Sequence, residues 1–184
     1  VRFSSNGIHE KNPYSNSSYY FLTEGDNPAV FSTLETNGAT DSLISQVPYT
    51  VFVDNDKFVW FSGGRELYDD YDFAYNNKRS ISINTPQPAS TDASINIAMS
   101  SSSKSSNNVV NVKWGTEDIG KFTINKYGTS QSAYETRKIY YTSKLSTENT
   151  IQLTSTQGIP ARLNFIRVHY DRLLDASASS YAFS

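Results

Sequence analysis

The sequence contains no cysteine, which excludes disulfides, thiolate catalysis and cysteine-ligated zinc within the segment. Histidine is nearly absent: His9, in a polar stretch, and His169 are the only two. Nucleophilic catalysis needs a base beside the nucleophile, and none of the many serines sits in a Gly-x-Ser-x-Gly elbow. A hydrolytic triad is therefore disfavoured. Charged residues make up only 18% and the net charge is −2, so there is no general attraction for nucleic acid or for an anionic membrane surface. No apolar run approaches the roughly 20 residues that span a bilayer. Val1-Arg2-Phe3 leads straight into polar residues and does not read as a signal peptide.

What is abundant is aromatic and small polar. Thirteen tyrosines and ten phenylalanines stand among many Ser, Thr and Asn residues, a mixture that favours strands and turns over helices. A length of 184 residues suffices for a sizeable core, and the expectation is one domain over 1–184. The composition suits a fragment of a longer, secreted protein.

The clearest pattern lies near the end. Ile166, Val168 and Tyr170 alternate with Arg167, His169 and Asp171, the period of two of a strand with one buried face. Leu163 and Phe165 place apolar groups on the opposite face at its start, which predicts a strand running through the middle of a sheet. Further strands are expected at 19–22, 49–53, 57–61, within 71–85 (Tyr71, Phe73 and Tyr75, then Ile81 and Ile83), 94–99, 109–114, 120–124, 133–141 and 150–154. Residues 49–53 and 57–61 flank Asp54-Asn55-Asp56 as a hairpin would. The segment 133–141 fits helix or strand, and strand is preferred. Residues 100–108 are low in complexity and read as a solvated loop. About nine or ten short strands at regular spacing predict an all-β, jelly-roll-like sandwich.

Candidate sites are few. Glu66, Asp69, Asp70 and Asp72 form the densest acidic cluster. Ca²⁺ wants six to eight oxygens, but Tyr68 and Tyr71 interrupt the run, so an exposed polar loop is preferred to a calcium site at Asp69, Asp70 and Asp72, and no cofactor is expected. Two carboxylates for glycoside hydrolysis would need a cleft. Trp60, Trp114 and the tyrosines offer a sugar-stacking platform, although most large aromatics of a sandwich are packed. Tyr140 and Tyr141, adjacent on a strand, face opposite ways, which leaves one of them exposed. Arg65 and Glu66 after two glycines look like a strand-end clamp, and docking of a neighbouring domain is the sharper alternative.

Several of these segments together resemble a known family. Asn12-Pro13-Tyr14 with Ser18-Tyr19-Tyr20-Phe21-Leu22, Ser62-Gly63-Gly64-Arg65-Glu66, the strand over 163–174 with Ile166, Tyr170, Arg172 and Leu174, and the closing Tyr181-Ala182-Phe183 resemble, in order, elements of the PorU-type sortases of type IX secretion. The departures are an extra glycine at 63–64, Leu67-Tyr68-Asp69 in place of the usual Trp and Gly, and His169 where Asn is frequent. They mark a diverged relative. The resemblance implies a non-catalytic β-rich region preceding a gingipain-like cysteine peptidase domain, at the bacterial outer-membrane surface. The parent would cleave C-terminal sorting signals from secreted cargo. The partners implied are the neighbouring peptidase domain and, beyond it, secretion-system or cargo proteins. Arg167, His169 and Asp171, with Arg65 and Glu66, are the expected contacts. The alternative is a carbohydrate-binding module of a surface glycan system.

Overall fold

The computed structural model describes residues 45–61, 66–128 and 133–174, all within one compact unit, Ile44–Ser184. The strand expected at 19–22, the closing segment at 181–183 and Arg65 lie outside the described residues. Eight strands follow in order: β1 (Gln46–Asp54), β2 (Lys78–Asn84), β3 (Ala93–Ser101), β4 (Asn108–Trp114), β5 (Glu117–Ile124), β6 (Tyr134–Thr142), β7 (Glu148–Thr154) and β8 (Ala161–Leu173). They form two four-stranded antiparallel sheets, β1-β8-β3-β6 and β2-β7-β4-β5. Every connection except the β4–β5 hairpin crosses from one sheet to the other, which is the jelly-roll form of the β-sandwich. The expected fold class is the observed one, and the alternation at β8 indeed marks a central strand.

The core follows from the period of two. Ile95, Ile97 and Met99 of β3, Ile166 and Val168 of β8, Val110 and Val112 of β4, and Ile151 and Leu153 of β7 are all fully buried between the sheets. Each such side chain contributes about 1.5–3 kcal/mol by leaving water.

One irregularity sets the phase of β8. Met99 pairs with Leu163 but Ala98 pairs with Phe165, so Asn164 is an extra residue in the strand. This β-bulge turns Leu163 and Ala161 to the same inner face as Ile166, instead of the face shared with Phe165 that simple alternation assigns them. Of Leu163 and Phe165, only Phe165 lies on the outer face, packed 5.8 Å from Phe52.

The expected hairpin at 49–61 does not form. β1 pairs along its whole length with β8, and 57–61 contains only an isolated bridge, Phe58 to Tyr68. The reason lies in the length of β8. β1 covers residues 165–173 of that strand, leaving its first residues open. The chain returns to fill the gap: Asp69 N–H donates to Leu163 O at 2.8 Å and Phe73 N–H to Ala161 O at 3.1 Å. Phe73 is fully buried at this point and Tyr75 points into solvent.

β3 likewise runs two residues into the serine-rich stretch expected to be loop. Ser100 and Ser101 are buried because both hydroxyls are satisfied: Trp60 Nε1–H donates to Ser100 Oγ at 2.8 Å, and Ser101 Oγ–H donates to Pro160 O at 2.9 Å. Gly120 has a φ of 128° and a side chain there would come within 3.1 Å of the Tyr140 ring, so that position calls for glycine.

Candidate functional site on the outer face of one sheet

The outer surface of the β1-β8-β3-β6 sheet is built of cross-strand rows. One row reads Thr50, His169, Ser94, Tyr141; the next reads Phe52, Arg167, Asn96, Ile139; a third reads Asp54, Phe165, Ala98, Arg137. In a one-sided sheet this face would be polar throughout. Here Phe52, Ile139 and Tyr141 are 44%, 51% and 77% exposed. Such apolar groups on one contiguous face mark a contact surface more than scattered ones do.

The cations of this face are stacked on its rings. The Arg167 guanidinium lies 4.3 Å from the Phe165 ring centroid and 4.9 Å from that of Phe52. Arg137 lies 5.5 Å over Phe165 and its Nε–H donates to Glu135 at 2.7 Å. His169 shares a 2.7 Å hydrogen bond between Nδ1 and Thr50 Oγ1. Burial, and then the charge of Arg167, hold its pKa below the ordinary 6.5, so the imidazole is neutral at pH 7. Asp171 is exposed one row further along β8, opposite Pro48. Arg167, His169 and Asp171 thus share the outer face, as the alternation implies. Glu66 is exposed beyond the third row, on the side of Tyr68, whose phenol is pushed well above its usual pKa by burial and then by the Glu135 and Glu66 carboxylates.

Beside Tyr141 the face sinks into an open groove of about 590 Å³. It crosses all four strands, from Pro48 and Thr50 through His169, Asp171 and Ser94 to Tyr141 and Ser143. Tyr140 faces the core and Tyr141 faces out, as adjacent positions of a strand require. The two tryptophans are elsewhere. Trp114 is a core residue, with its indole N–H donating to Lys144 O at 3.3 Å. Trp60 packs edge-on against Phe58 at 5.1 Å, beyond the other end of the face.

That other end is held by Arg162, which sequence reading did not single out. Its guanidinium is buried 3.5 Å over the Phe58 ring. It pairs with Asp72 Oδ2 at 3.1 Å and donates to the Asp70 carbonyl at 2.6 Å. The remaining acids are partnered as well. Asp69 pairs with Arg79 at 2.8 Å and accepts from Tyr71 N–H at 2.7 Å and Asn55 Nδ2 at 3.1 Å. Asp70 lies 3.9 Å from Lys57. Asp69, Asp70 and Asp72 therefore each pair with a different cation, and Asn55 Nδ2 reaches both Asp69 and Asp70.

Burial alone would raise the Asp69 pKa, but the hydrogen bonds from Arg79, Tyr71 and Asn55 outweigh it and hold the carboxyl below the ordinary 3.8. A carboxylate depressed on folding stabilises the fold above its unfolded pKa and loses that contribution as pH falls through the folded one. The unfolding free energy of the wild type is expected to drop faster below pH 3.8 than that of Asp69→Asn, with the two slopes equal above it. Urea titrations at a series of pH values check this, and parallel curves down to pH 2 would contradict it.

These features define a jelly-roll module with one decorated outer face. No protein-family profile and no curated protein matches the chain in sequence. In three dimensions it is similar to dimeric latent PorU from Porphyromonas gingivalis, with a TM-score of 0.63 and 15% identity over 74% of this chain. The match spans 14% of the PorU chain. Weaker likenesses include a family 35 carbohydrate-binding module from Clostridium thermocellum (TM-score 0.41, 14% identity, 67% of this chain and 97% of that one). Another is the C-terminal family 6 module of LamC, a marine laminarinase from Zobellia galactanivorans (TM-score 0.38, 19% identity, 67% and 98%). At these identities the likeness is one of fold alone.

Proposed function

We propose that this chain is a non-catalytic accessory module of a secreted, cell-surface protein, related to the PorU-type sortases, and that it docks a neighbouring protein domain through the Phe52–Arg167–Ile139 row. The parent protein in this reading carries a gingipain-like cysteine peptidase domain and trims the C-terminal sorting signals of secreted cargo. One observation carries the docking surface: two large apolar side chains stand about half exposed on either side of a stacked arginine in the middle of a sheet face. Aromatic and arginine anchors of this kind dominate interface energetics. The ordered motifs at 12–22, 62–66 and 163–174, and the likeness in fold to PorU, support the sortase relationship.

The test is to express the chain together with its adjoining coding sequence and compare its hydrogen exchange with that of the 184-residue chain alone. Slower exchange along β6 and β8 is expected in the longer protein. Changing both Phe52 and Ile139 to Asp should abolish that protection, since anchors of this type are each worth about 2 kcal/mol. Identical exchange in the two proteins would refute docking at this face. A second reading, a carbohydrate-binding module, draws on the exposed Tyr141 ring beside the groove.

A further inference from the structure

We propose that the groove beside Tyr141 is a saccharide site selective for neutral or amino sugars over acidic ones. The proposal rests on the carbohydrate-binding reading and adds to it a place and a charge preference. Its volume falls within the roughly 300–1,000 Å³ of small-molecule sites, and four strands spaced by about 4.8 Å give it a floor about 14 Å wide. The floor carries the hydroxyls of Thr50 and Ser94 and the His169 imidazole, and Tyr141, Thr142 and Ser143 form its β6 side. This is what a polyhydroxylated ring requires: a row of short hydrogen-bonding groups and one exposed aromatic face to cover its C–H groups.

The charge preference follows from which ionic groups reach the groove. Asp92 and Asp171 line it and are exposed. His169 lies opposite Ser94 in the neighbouring row, where burial and then the charge of Arg167 hold its pKa below 6.5. The nearby cations are turned elsewhere. Lys144 pairs with Glu117 at 3.3 Å. Arg172 lies over Tyr49 and donates to Gln87 Oε1 at 3.1 Å. Arg167 is one row away between two phenylalanines. A uronate or a sulfated sugar would meet two carboxylates with no cation among the described residues turned toward it, and like charges brought together in a partly desolvated site are mutually destabilising. A neutral ring gains carboxylate acceptors for its hydroxyls, and an amino sugar gains an ion pair.

The experiment titrates the isotopically labelled chain with xylohexaose, cellohexaose, laminarihexaose and mannohexaose, a chitosan hexamer, and hexagalacturonate. At least one neutral or amino ligand is expected to shift the amide resonances of Thr50, Ser94, Tyr141 and His169, with hexagalacturonate at least tenfold weaker. Tyr141→Ala removes only an exposed ring and should weaken binding at least tenfold, while Trp60→Phe leaves it unchanged. Shifts centred on Phe58 and Trp60, or tighter binding of hexagalacturonate, would overturn this site and leave the carbohydrate reading standing. No shift with any of these probes at millimolar concentration would overturn both.

Discussion

Arg162→Ala should lower the unfolding free energy by about 3–5 kcal/mol, the usual consequence of removing one partner from a buried ion pair. The side chain is only 8% exposed and serves several neighbours at once. Its loss strips Asp72 Oδ2 of its cation and the Asp70 carbonyl of its donor. It also removes the cation facing the Phe58 ring. Asp70 and Asp72 belong to the returning segment that covers the start of β8, and Phe58 is bridged to that segment at Tyr68, so the damage reaches beyond the ion pair. Hydrogen exchange should accelerate over 57–61 and 66–73 before it does in β3. Arg162→Lys restores the charge but lacks the planar fork that bonds a carboxylate and a carbonyl together, and should fall between the two. A urea midpoint for Arg162→Ala that shifts by less than about 0.5 kcal/mol equivalent would mean that the segment is held by its backbone hydrogen bonds alone.

Deleting Asn164 should leave the fold intact at a cost of about 1–3 kcal/mol, because it removes the extra residue without changing which side chains face the core. The bulge is the device that absorbs this residue while both halves of β8 face inward. With Asn164 removed, Leu163-Phe165-Ile166 alternates as a regular strand, so Ala161, Leu163, Ile166, Val168 and Tyr170 all still face inward and Met99 and Ala98 keep their partners. Asn164→Gly is the control. It keeps the residue count and loses the 2.8 Å bond from Nδ2 to Glu135, an effect of about 1–3 kcal/mol. A deletion variant without a dispersed amide spectrum, or with a midpoint far below that of Asn164→Gly, would mean that the extra residue itself is required by the fold.

These two features show where sequence reading stops. Alternation in β3, β4 and the later half of β8 is visible directly, because each turns one face to a core, and the all-β class follows from it. The bulge is invisible because Leu163-Asn164-Phe165 reads equally well as plain alternation; only pairing to Met99 and Ala98 reveals the extra residue. Residues 57–61 have the composition of a strand, yet the partner they would need is claimed by β8, whose pairing is non-local. Ser100 and Ser101 look like linker until Trp60 and Pro160 satisfy them. The placement of Arg167, His169 and Asp171 on one face was legible, since it needs only the period of a single strand. The groove and the Phe52–Arg167–Ile139 row were not, because a row depends on strand order. Arg162 was passed over because its partner lies 90 positions earlier in the chain.

Strand order also governs when this protein comes into existence during synthesis. In the β1-β8-β3-β6 sheet the second position belongs to the last strand made, and Thr50 meets His169 across 119 positions of sequence. Until β8 has emerged, β1 has no neighbour and β3 has only β6. Sheets closed by such distant pairings form slowly and late. The nascent chain therefore carries half a sandwich with its apolar face uncovered until residue 173 is available, and β8 completes the module in one step.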